Sequence, residues 1–155
     1  MERKCGVLLP VSSLSSPYGI GCFSEEAYRF VDFLEKAGQS YWQILPLGQT
    51  GYGDSPYQSV STFAGNPYFI DLCQLIEKGY LKQEEVDAKD FGSDPMYVDY
   101  EKQYQNRYAL LHSAYERSPY SNAGREKITA EKAKERQGFE DFIVKNRDWL
   151  DDYAL

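Results

Sequence analysis

A loop rich in glycine, proline and tyrosine has the residue types best suited to binding chemistry in this sequence. It runs from Leu45 to Tyr68 and contains four glycines, three prolines and three tyrosines. Gly and Pro exclude a regular helix or a central strand, because Gly costs backbone entropy and Pro lacks a donor. Aromatic side chains are unusual in a flexible linker. We call residues 45–68 the aromatic loop and expect it to present flat faces and hydroxyls to a ligand. The alternative is a well-packed surface loop.

Few other residues have the spacing of a catalytic, metal or nucleotide site. His112 is the only histidine, which excludes His-pair metal sites. The three cysteines form no CxxC pair and indicate free thiols in a reducing compartment. The pattern Gly19-x-Gly21-x-x-Ser24 matches a dinucleotide-binding loop weakly, because the first glycine lies ten residues past Leu9 and not directly after the strand.

A β-α-β unit is expected to position the aromatic loop. The apolar runs from Cys5 to Leu9 and from Tyr41 to Leu45 are predicted strands, covered on both faces as in a parallel sheet. Between them, Ser24 is placed to cap a helix that ends at Gly38. The predicted buried face of this helix holds Ala27, Phe30, Val31 and Leu34.

After Tyr68 the sequence becomes helical. Asp71 is placed to cap a helix from Leu72 to Lys78, and Asp99 to cap a longer one. Helical spacing places Tyr104, Tyr108, Leu111 and Tyr115 on one face of the longer helix. The charged stretch from Glu126 to Gln137 predicts a solvated helix or a mobile segment. A further buried stripe is predicted at Phe139, Phe142 and Ile143.

Composition and charge indicate a globular protein and exclude several partners. The chain has 155 residues, of which 42% are hydrophobic, and a formal net charge of -7. This acidity disfavours nucleic acid and anionic membranes, which need a basic surface. No signal peptide and no apolar run of about 20 residues is visible, which predicts a cytoplasmic protein. Because an apolar helical pattern is still running at Leu155, we expect the chain to be a piece of a longer protein.

Eight motifs follow one another along nearly the whole chain. They are GVLLP (6–10), SSL (12–14), SPYGIG (16–21), YWQILPLG (41–48), TGYGDSPYQS (50–59), FAGNPY (63–68), VDY (98–100) and WLDDYAL (149–155). In this order they resemble the N-terminal part of the 4-α-glucanotransferases, also called amylomaltases or disproportionating enzymes. The chain departs from the family pattern at Cys22, Ser24 and Gln49, where Asp, Gly and Pro are expected.

The resemblance implies a fold and a reaction. The fold is α/β, with the first two strands of a (β/α)8 TIM barrel in residues 1–68 and a mainly helical inserted subdomain in residues 69–155. The reaction transfers a segment of an α-1,4-glucan to the 4-hydroxyl of an acceptor glucose or maltooligosaccharide. It retains configuration and needs two carboxylates, which the family carries on strands beyond Leu155. The resemblance therefore implies no catalytic residue in this segment, and neither a metal nor an organic cofactor.

The resemblance also implies two sets of binding residues for maltooligosaccharides and α-1,4-glucans. Ser55 and Tyr57 match positions close to the sugar beside the scissile bond, where Asp54 is expected to hold the loop through backbone N–H groups. Tyr52 and Tyr104 match two tyrosines of a second glucan-binding site away from the catalytic centre. The alternative is loop packing for Tyr57 and core packing for Tyr104.

Two rival functions remain open from the sequence. One is a non-catalytic carbohydrate-binding or structural module derived from the same family. The other is a hydrolase of the α-amylase type, in which water takes the place of the acceptor sugar. Further strand–helix repeats with acidic motifs downstream would favour an enzyme over a module.

Overall fold

The chain begins with a short β-α-β unit, as expected. The computed structural model describes residues 3–121 and 129–154. Strand β1 (Gly6–Leu8) pairs in parallel with strand β2 (Tyr41–Gln43), and helix α1 (Glu25–Lys36) connects them. The α/β class is therefore confirmed, with one two-stranded parallel sheet among the described residues.

The strands are shorter and more exposed than the sequence predicts. Regular pairing ends beside the hydrogen bond from Leu9 N to Gln43 O, at 3.0 Å. In each strand only the middle residue is partly buried. The ring of Trp42 meets that of Phe30 on α1, with centroids 5.1 Å apart, so α1 covers the side of the sheet to which Trp42 points. The expected cover on both faces is wrong for the described residues, because Leu8 and Tyr41, which point to the other face, are 55% and 61% exposed.

Helix α1 begins and ends where the sequence predicts. The Ser24 side chain accepts a hydrogen bond from Glu26 N at 3.3 Å, and Gly38 follows the helix with a φ of 68°, the left-handed conformation that favours glycine. Ala27 and Leu34 are buried, but Val31 is 48% exposed. The predicted face is therefore wrong for Val31, because two strands are too narrow to cover the whole apolar side of a helix.

The helical part follows the aromatic loop and contains the main core. Its helices in the described residues are α2 (Leu72–Glu77), α3 (Gln83–Asp87), α4 (Tyr100–Lys102), α5 (Tyr108–Arg117), α6 (Ala130–Lys145) and α7 (Arg147–Tyr153). Asp71 caps α2 by accepting from Cys73 N at 3.0 Å, and Asp99 caps α4 by accepting from Lys102 N at 3.1 Å. Both predicted caps are confirmed. The core consists of Tyr18, Leu72, Tyr80, Leu81, Val86, Phe91, Leu110 and Ala114.

A π-helical segment, Gln103–Arg107, joins α4 to α5 in one continuous helix. The side of this helix that faces the core holds Gln103, Arg107, Leu110 and Ala114. Tyr104 lies on the neighbouring side and is 67% exposed. Core packing of Tyr104 is therefore wrong. The polar side chains of Gln103 and Arg107 take the buried positions on either side of it.

Helices α6 and α7 lie on the surface, and none of residues 129–154 is fully buried. The predicted buried stripe is wrong: Phe139 and Ile143 are partly exposed and Phe142 is 49% exposed. The Phe139 ring contacts that of Tyr120 and the Phe142 ring contacts that of Trp149 on α7, with centroids 4.9 and 6.4 Å apart, and these contacts cover the two side chains only in part. Of the predicted charged stretch 126–137, the first three residues lie outside the described residues, and the rest is the mainly exposed start of α6.

Candidate functional site

The aromatic loop leaves the body of the protein and returns to it at one point. Gly48 and Gly65 form an antiparallel bridge, and Asn66 N donates a hydrogen bond to Leu47 O at 2.7 Å. A methyl group at Gly48 would lie 2.6 Å from Cβ of Ser59. Only glycine therefore fits at this position, and the two arms of the loop are held together at their base.

Backbone turns fix the tip of the loop. Asp54 N donates to Gly51 O at 3.1 Å, and both Gly53 and Asp54 have positive φ, at 95° and 55°. Asp is one of the few residues other than Gly that adopt this conformation readily. After Pro56, Tyr57 N donates to the Ser55 hydroxyl at 3.4 Å. The direction in which Tyr57 leaves the loop is set by these local bonds.

A cleft of about 750 Å³ lies between the aromatic loop and the α4–α5 helix. We call it the tyrosine cleft. It is lined by residues 49–54 of the loop and by Tyr68, Tyr100, Glu101, Tyr104 and Tyr108. The ring centroids of Tyr68 and Tyr108 are 5.6 Å apart and those of Tyr104 and Tyr108 are 5.4 Å apart, both with edges turned towards faces. These contacts suit aromatic rings, so one wall of the cleft is a rigid tyrosine cluster.

Burial raises the pKa of three tyrosines of this wall further above neutral pH. It raises the pKa of Tyr68 to about 12, and it also raises the pKa of Tyr100 and of Tyr108. Their hydroxyl groups are therefore neutral donors and acceptors at the pH of a cell. Such groups suit a neutral polar ligand.

Two buried polar side chains orient the helix that carries the cleft tyrosines. Gln103 Nε2 donates to Tyr18 O at 2.8 Å, and Arg107 Nη2 donates to Ile70 O at 2.8 Å. Both side chains are fully buried. Burial lowers the pKa of Arg107. Because these two residues face inwards, Tyr104 between them faces the cleft.

The structure brings together some of the predicted site residues and not others. Tyr52 and Tyr104, predicted as one set, line the same cleft, and Asp54 also lines it. Ser55 and Tyr57 do not line it. Tyr57 follows the turn at Gly53 and Asp54, and its side chain is 73% exposed. Tyr68, Tyr100, Glu101 and Tyr108 also line the cleft and were not among the predicted site residues. The four-residue spacing of Tyr100, Tyr104 and Tyr108 is the signal that identifies this wall.

Asp54 has a different setting from the one expected. In residues 3–121 and 129–154 its carboxylate accepts no hydrogen bond from a backbone N–H, so the loop is held by its backbone and by Ser55. Burial raises the pKa of Asp54. The carboxylate lines the tyrosine cleft and also a cavity of about 100 Å³ beneath the base of the loop. It is therefore an acceptor available to hydroxyl groups of a ligand.

Helix α7 contacts both arms of the aromatic loop. Tyr153 donates its hydroxyl proton to Gln49 Oε1 at 2.6 Å, and Gln49 Nε2 donates to the Tyr108 hydroxyl at 3.2 Å. On the other arm, the rings of Phe63 and Trp149 stack with centroids 5.6 Å apart. The side of the cleft formed by the loop is therefore tied to α5 and to α7.

Two kinds of feature are absent from the part of the chain that the structure describes. No three His, Cys, Asp or Glu side chains in this part come together as a metal site would require. None of its helices combines the length and the apolar character needed to cross a membrane.

Comparisons with known proteins agree on one family. The model of the family described as 4-alpha-glucanotransferase matches residues 9–155. The chain is 48% identical over 153 residues to a 4-alpha-glucanotransferase of Streptococcus pneumoniae, covering 99% of this chain and 28% of that protein. It is 45% identical over 155 residues to that of Thermus thermophilus, covering 100% of this chain and 28% of that protein.

A solved structure shows the same relationship. The amylomaltase from Streptococcus agalactiae, solved in complex with acarbose, superposes with a TM-score of 0.82 at 38% identity. The match covers 99% of this chain and 28% of that one, so the chain spans little more than a quarter of the length of the relatives it matches. The family model and the relatives together show that this chain belongs to the 4-alpha-glucanotransferase family.

Proposed function

We propose that this chain supplies glucan-binding surface to a 4-α-glucanotransferase. The enzyme would transfer a segment of an α-1,4-glucan to the 4-hydroxyl of an acceptor glucose or maltooligosaccharide, with retention of configuration. The observation that carries the proposal is the tyrosine cleft beside the aromatic loop, in a chain of this family. Tyrosine suits a neutral sugar, since its ring face packs on the apolar face of the sugar and its hydroxyl reaches the polar rim.

The proposed place of the chain in the enzyme follows from its β-α-β unit. We take residues 1–68 as the start of a (β/α)8 barrel and residues 69–155 as a helical subdomain inserted into it. The parallel pairing of β1 with β2 through a helix supports this assignment. The aromatic loop follows the C-terminal end of β2, and barrel enzymes carry their active sites at that end of their strands.

Two binding regions are proposed, one on the loop and one between the loop and the α4–α5 helix. Ser55 and Tyr57 bind the sugar beside the scissile bond, and the exposed Tyr57 ring is free to stack on it. Asp54 accepts sugar hydroxyls next to them. Tyr52 and Tyr104 form a second glucan-binding site, and their common cleft supports this pairing.

The two catalytic carboxylates are proposed to lie in the part of the family fold outside this chain. A retaining mechanism requires a nucleophile and an acid/base about 5–5.5 Å apart. Neither is assigned here to any of the 24 Asp and Glu residues. We propose that the reaction uses no metal or organic cofactor and takes place in the cytoplasm.

The test uses what we call the full-length enzyme, a polypeptide that contains this chain together with the rest of a 4-α-glucanotransferase. Incubated with maltotriose, it should yield glucose and a ladder of longer maltooligosaccharides, while the number of reducing ends stays constant because each broken bond is replaced by another. A rise in reducing ends without longer products would indicate a hydrolase instead. The 155-residue chain alone should yield no products, and products above those of a heat-inactivated control would show that it carries its own carboxylates.

A further inference from the structure

The hydrogen bonds of Gln49 determine whether the hydroxyl group of Tyr108 acts as a donor or as an acceptor. Gln49 lies between two tyrosines, Tyr108 on α5 and Tyr153 on α7. An amide has one accepting and one donating end, whereas each tyrosine hydroxyl both donates and accepts. One tyrosine must therefore donate to Gln49 and the other must accept from it.

The two distances decide which tyrosine does which. The contact between Gln49 and Tyr153 is 2.6 Å, and the contact between Gln49 and Tyr108 is 3.2 Å. Bonds from O–H to oxygen span about 2.5–3.0 Å, and bonds from N–H to oxygen about 2.7–3.2 Å. The shorter contact suits Tyr153 donating to Oε1 and the longer one suits Nε2 donating to Tyr108, which is the assignment we use.

This direction leaves the proton of Tyr108 unused by the protein. Within residues 3–121 and 129–154, the Tyr108 hydroxyl takes part in one hydrogen bond, and there it is the acceptor. Tyr108 lines the tyrosine cleft. Its ring is held between those of Tyr68 and Tyr104, at 5.6 and 5.4 Å, so the position of the hydroxyl is fixed before a ligand arrives.

We propose that Tyr108 donates a hydrogen bond to a hydroxyl oxygen of an α-1,4-glucan in the tyrosine cleft, and that Gln49, anchored by Tyr153, is the positioning residue that keeps this proton available. The proposal rests on the proposed function, since it takes a glucan as the occupant of the cleft. It adds to that function a donor, the residue that orients it, and a role for α7. The anchor is independent of the cleft tyrosines, because Trp149 of the same helix stacks on Phe63 in the other arm of the loop.

A glutamate at position 49 separates this role from a purely structural one. In Gln49→Glu the carboxylate only accepts, so both Tyr108 and Tyr153 must donate to it. The ties between loop, α5 and α7 are kept, but the proton of Tyr108 is withdrawn from the cleft. Tyr108→Phe removes the same donor directly. Tyr115→Phe is the matched control, since it removes a hydroxyl from the same helix outside the cleft.

The measurement is the KM of the full-length enzyme for amylose relative to its KM for maltotriose, with the melting temperature of each variant. Gln49→Glu and Tyr108→Phe should each raise this ratio about 3- to 10-fold, the effect of one lost neutral hydrogen bond. The double variant should show no further rise, and Tyr115→Phe should leave the ratio as it is. A wild-type ratio for Gln49→Glu, or additive rises in the double variant, would overturn the proposal.

Tyr52→Ala separates failure of this proposal from failure of the cleft as a glucan site. If Tyr52→Ala raises the ratio while Gln49→Glu does not, the cleft binds glucan and only the role of Gln49 is wrong. If Tyr52→Ala also leaves the ratio unchanged, the second glucan-binding site itself is wrong and the proposal falls with it.

Discussion

Tyr57 is an exposed aromatic residue of the loop whose backbone direction is fixed by its neighbours. Pro56 fixes its own φ and restricts Ser55 before it, and Tyr57 N donates to the Ser55 hydroxyl. The ring is nevertheless 73% exposed. An aromatic face that is oriented in advance loses little entropy on binding, so its stacking energy is available to hold a distorted sugar.

We predict that Tyr57→Ala lowers kcat/KM of the full-length enzyme on maltotriose by the equivalent of about 1–3 kcal/mol, the range for stacking of another ligand class on an aromatic ring. The check is initial-rate kinetics, with thermal melting of the same samples. Tyr57→Phe is the control, because it keeps the face. A loss of activity that parallels a lower melting temperature would support packing as the role of Tyr57.

Tyr52 has a different place, at the outer rim of the tyrosine cleft, and its side chain is fully exposed. We predict that Tyr52→Ala weakens the use of amylose by several-fold and affects maltotriose much less, because the second glucan-binding site is proposed to lie away from the scissile bond. Rates on the two donors provide the test. Equal losses on both would contradict two separate sites on the loop.

At the scale of single elements, the sequence predicts what local chemistry decides. The caps at Ser24, Asp71 and Asp99 follow from a side chain and a backbone N–H two or three residues away, and all three are found. The β-α-β unit follows in the same way from periodicity. These features need no knowledge of distant parts of the chain.

The parts that the sequence does not predict depend on distant partners. Gln103 and Arg107 are polar, so their types alone predict a surface position. They can be buried because each donates a hydrogen bond to a distant carbonyl group, that of Tyr18 for Gln103 and that of Ile70 for Arg107. The same holds for the tyrosine cleft, whose two walls are separated by about 50 residues of sequence. Motif matching paired Tyr52 with Tyr104, but only the fold shows that Tyr68, Tyr100 and Tyr108 complete the wall.

The partly buried carboxylate of Glu135 connects α6 to the rest of the helical part. Glu135 accepts hydrogen bonds from Lys78 Nζ at 2.7 Å, Tyr80 at 2.8 Å and Tyr120 at 2.6 Å. Burial on its own would raise the pKa of Glu135, but these three bonds outweigh it and lower the pKa to about 2. The charged form is therefore the one that docks α6.

We predict that docking of α6 weakens as the pH falls from about 4.5 towards 2. A carboxyl whose pKa is lowered in the folded state stabilises that state above its unfolded pKa of 4.5, and this contribution is lost as the pH falls through the folded pKa. Glu135→Gln should lower the melting temperature at pH 7, as expected for a loss of about 1 kcal/mol.

The measurement is thermal melting of the full-length enzyme between pH 7 and pH 3. The difference between the wild type and Glu135→Gln should shrink with acidity. Asp141→Asn is the matched control, since Asp141 is an exposed carboxylate on the same helix and accepts a hydrogen bond from Gln137 of that helix. A difference that is the same at every pH would contradict a role for the charge of Glu135.

At the scale of the whole molecule, the described chain leaves large apolar side chains uncovered. Leu8 on β1 is 55% exposed, Phe33 on α1 is 61% exposed and Val144 on α6 is 76% exposed. The two-stranded sheet also has two open edges among the described residues. Unpaired strand edges and apolar patches of this kind favour association with other chains.

We predict that the 155-residue chain by itself associates at micromolar concentration. Sedimentation velocity over a concentration series should show species larger than the monomer. Phe33→Lys should reduce them, whereas Gln39→Lys, which adds the same charge without removing an apolar group, should not. A compact monomer with cooperative thermal unfolding would show that the exposed apolar side chains do not drive association.

The tie between Gln49 and Tyr153 has a consequence for synthesis of the chain. The two residues are separated by 104 positions, so at about 5–20 residues per second roughly 5–20 s pass between their incorporation by the ribosome. During this interval the β-α-β unit can form, since all of its residues have been synthesised. The aromatic loop, however, has no α7 to contact either of its arms. The loop should therefore be cut by a protease in ribosome-bound chains that end before α7, and become protected once α7 has emerged.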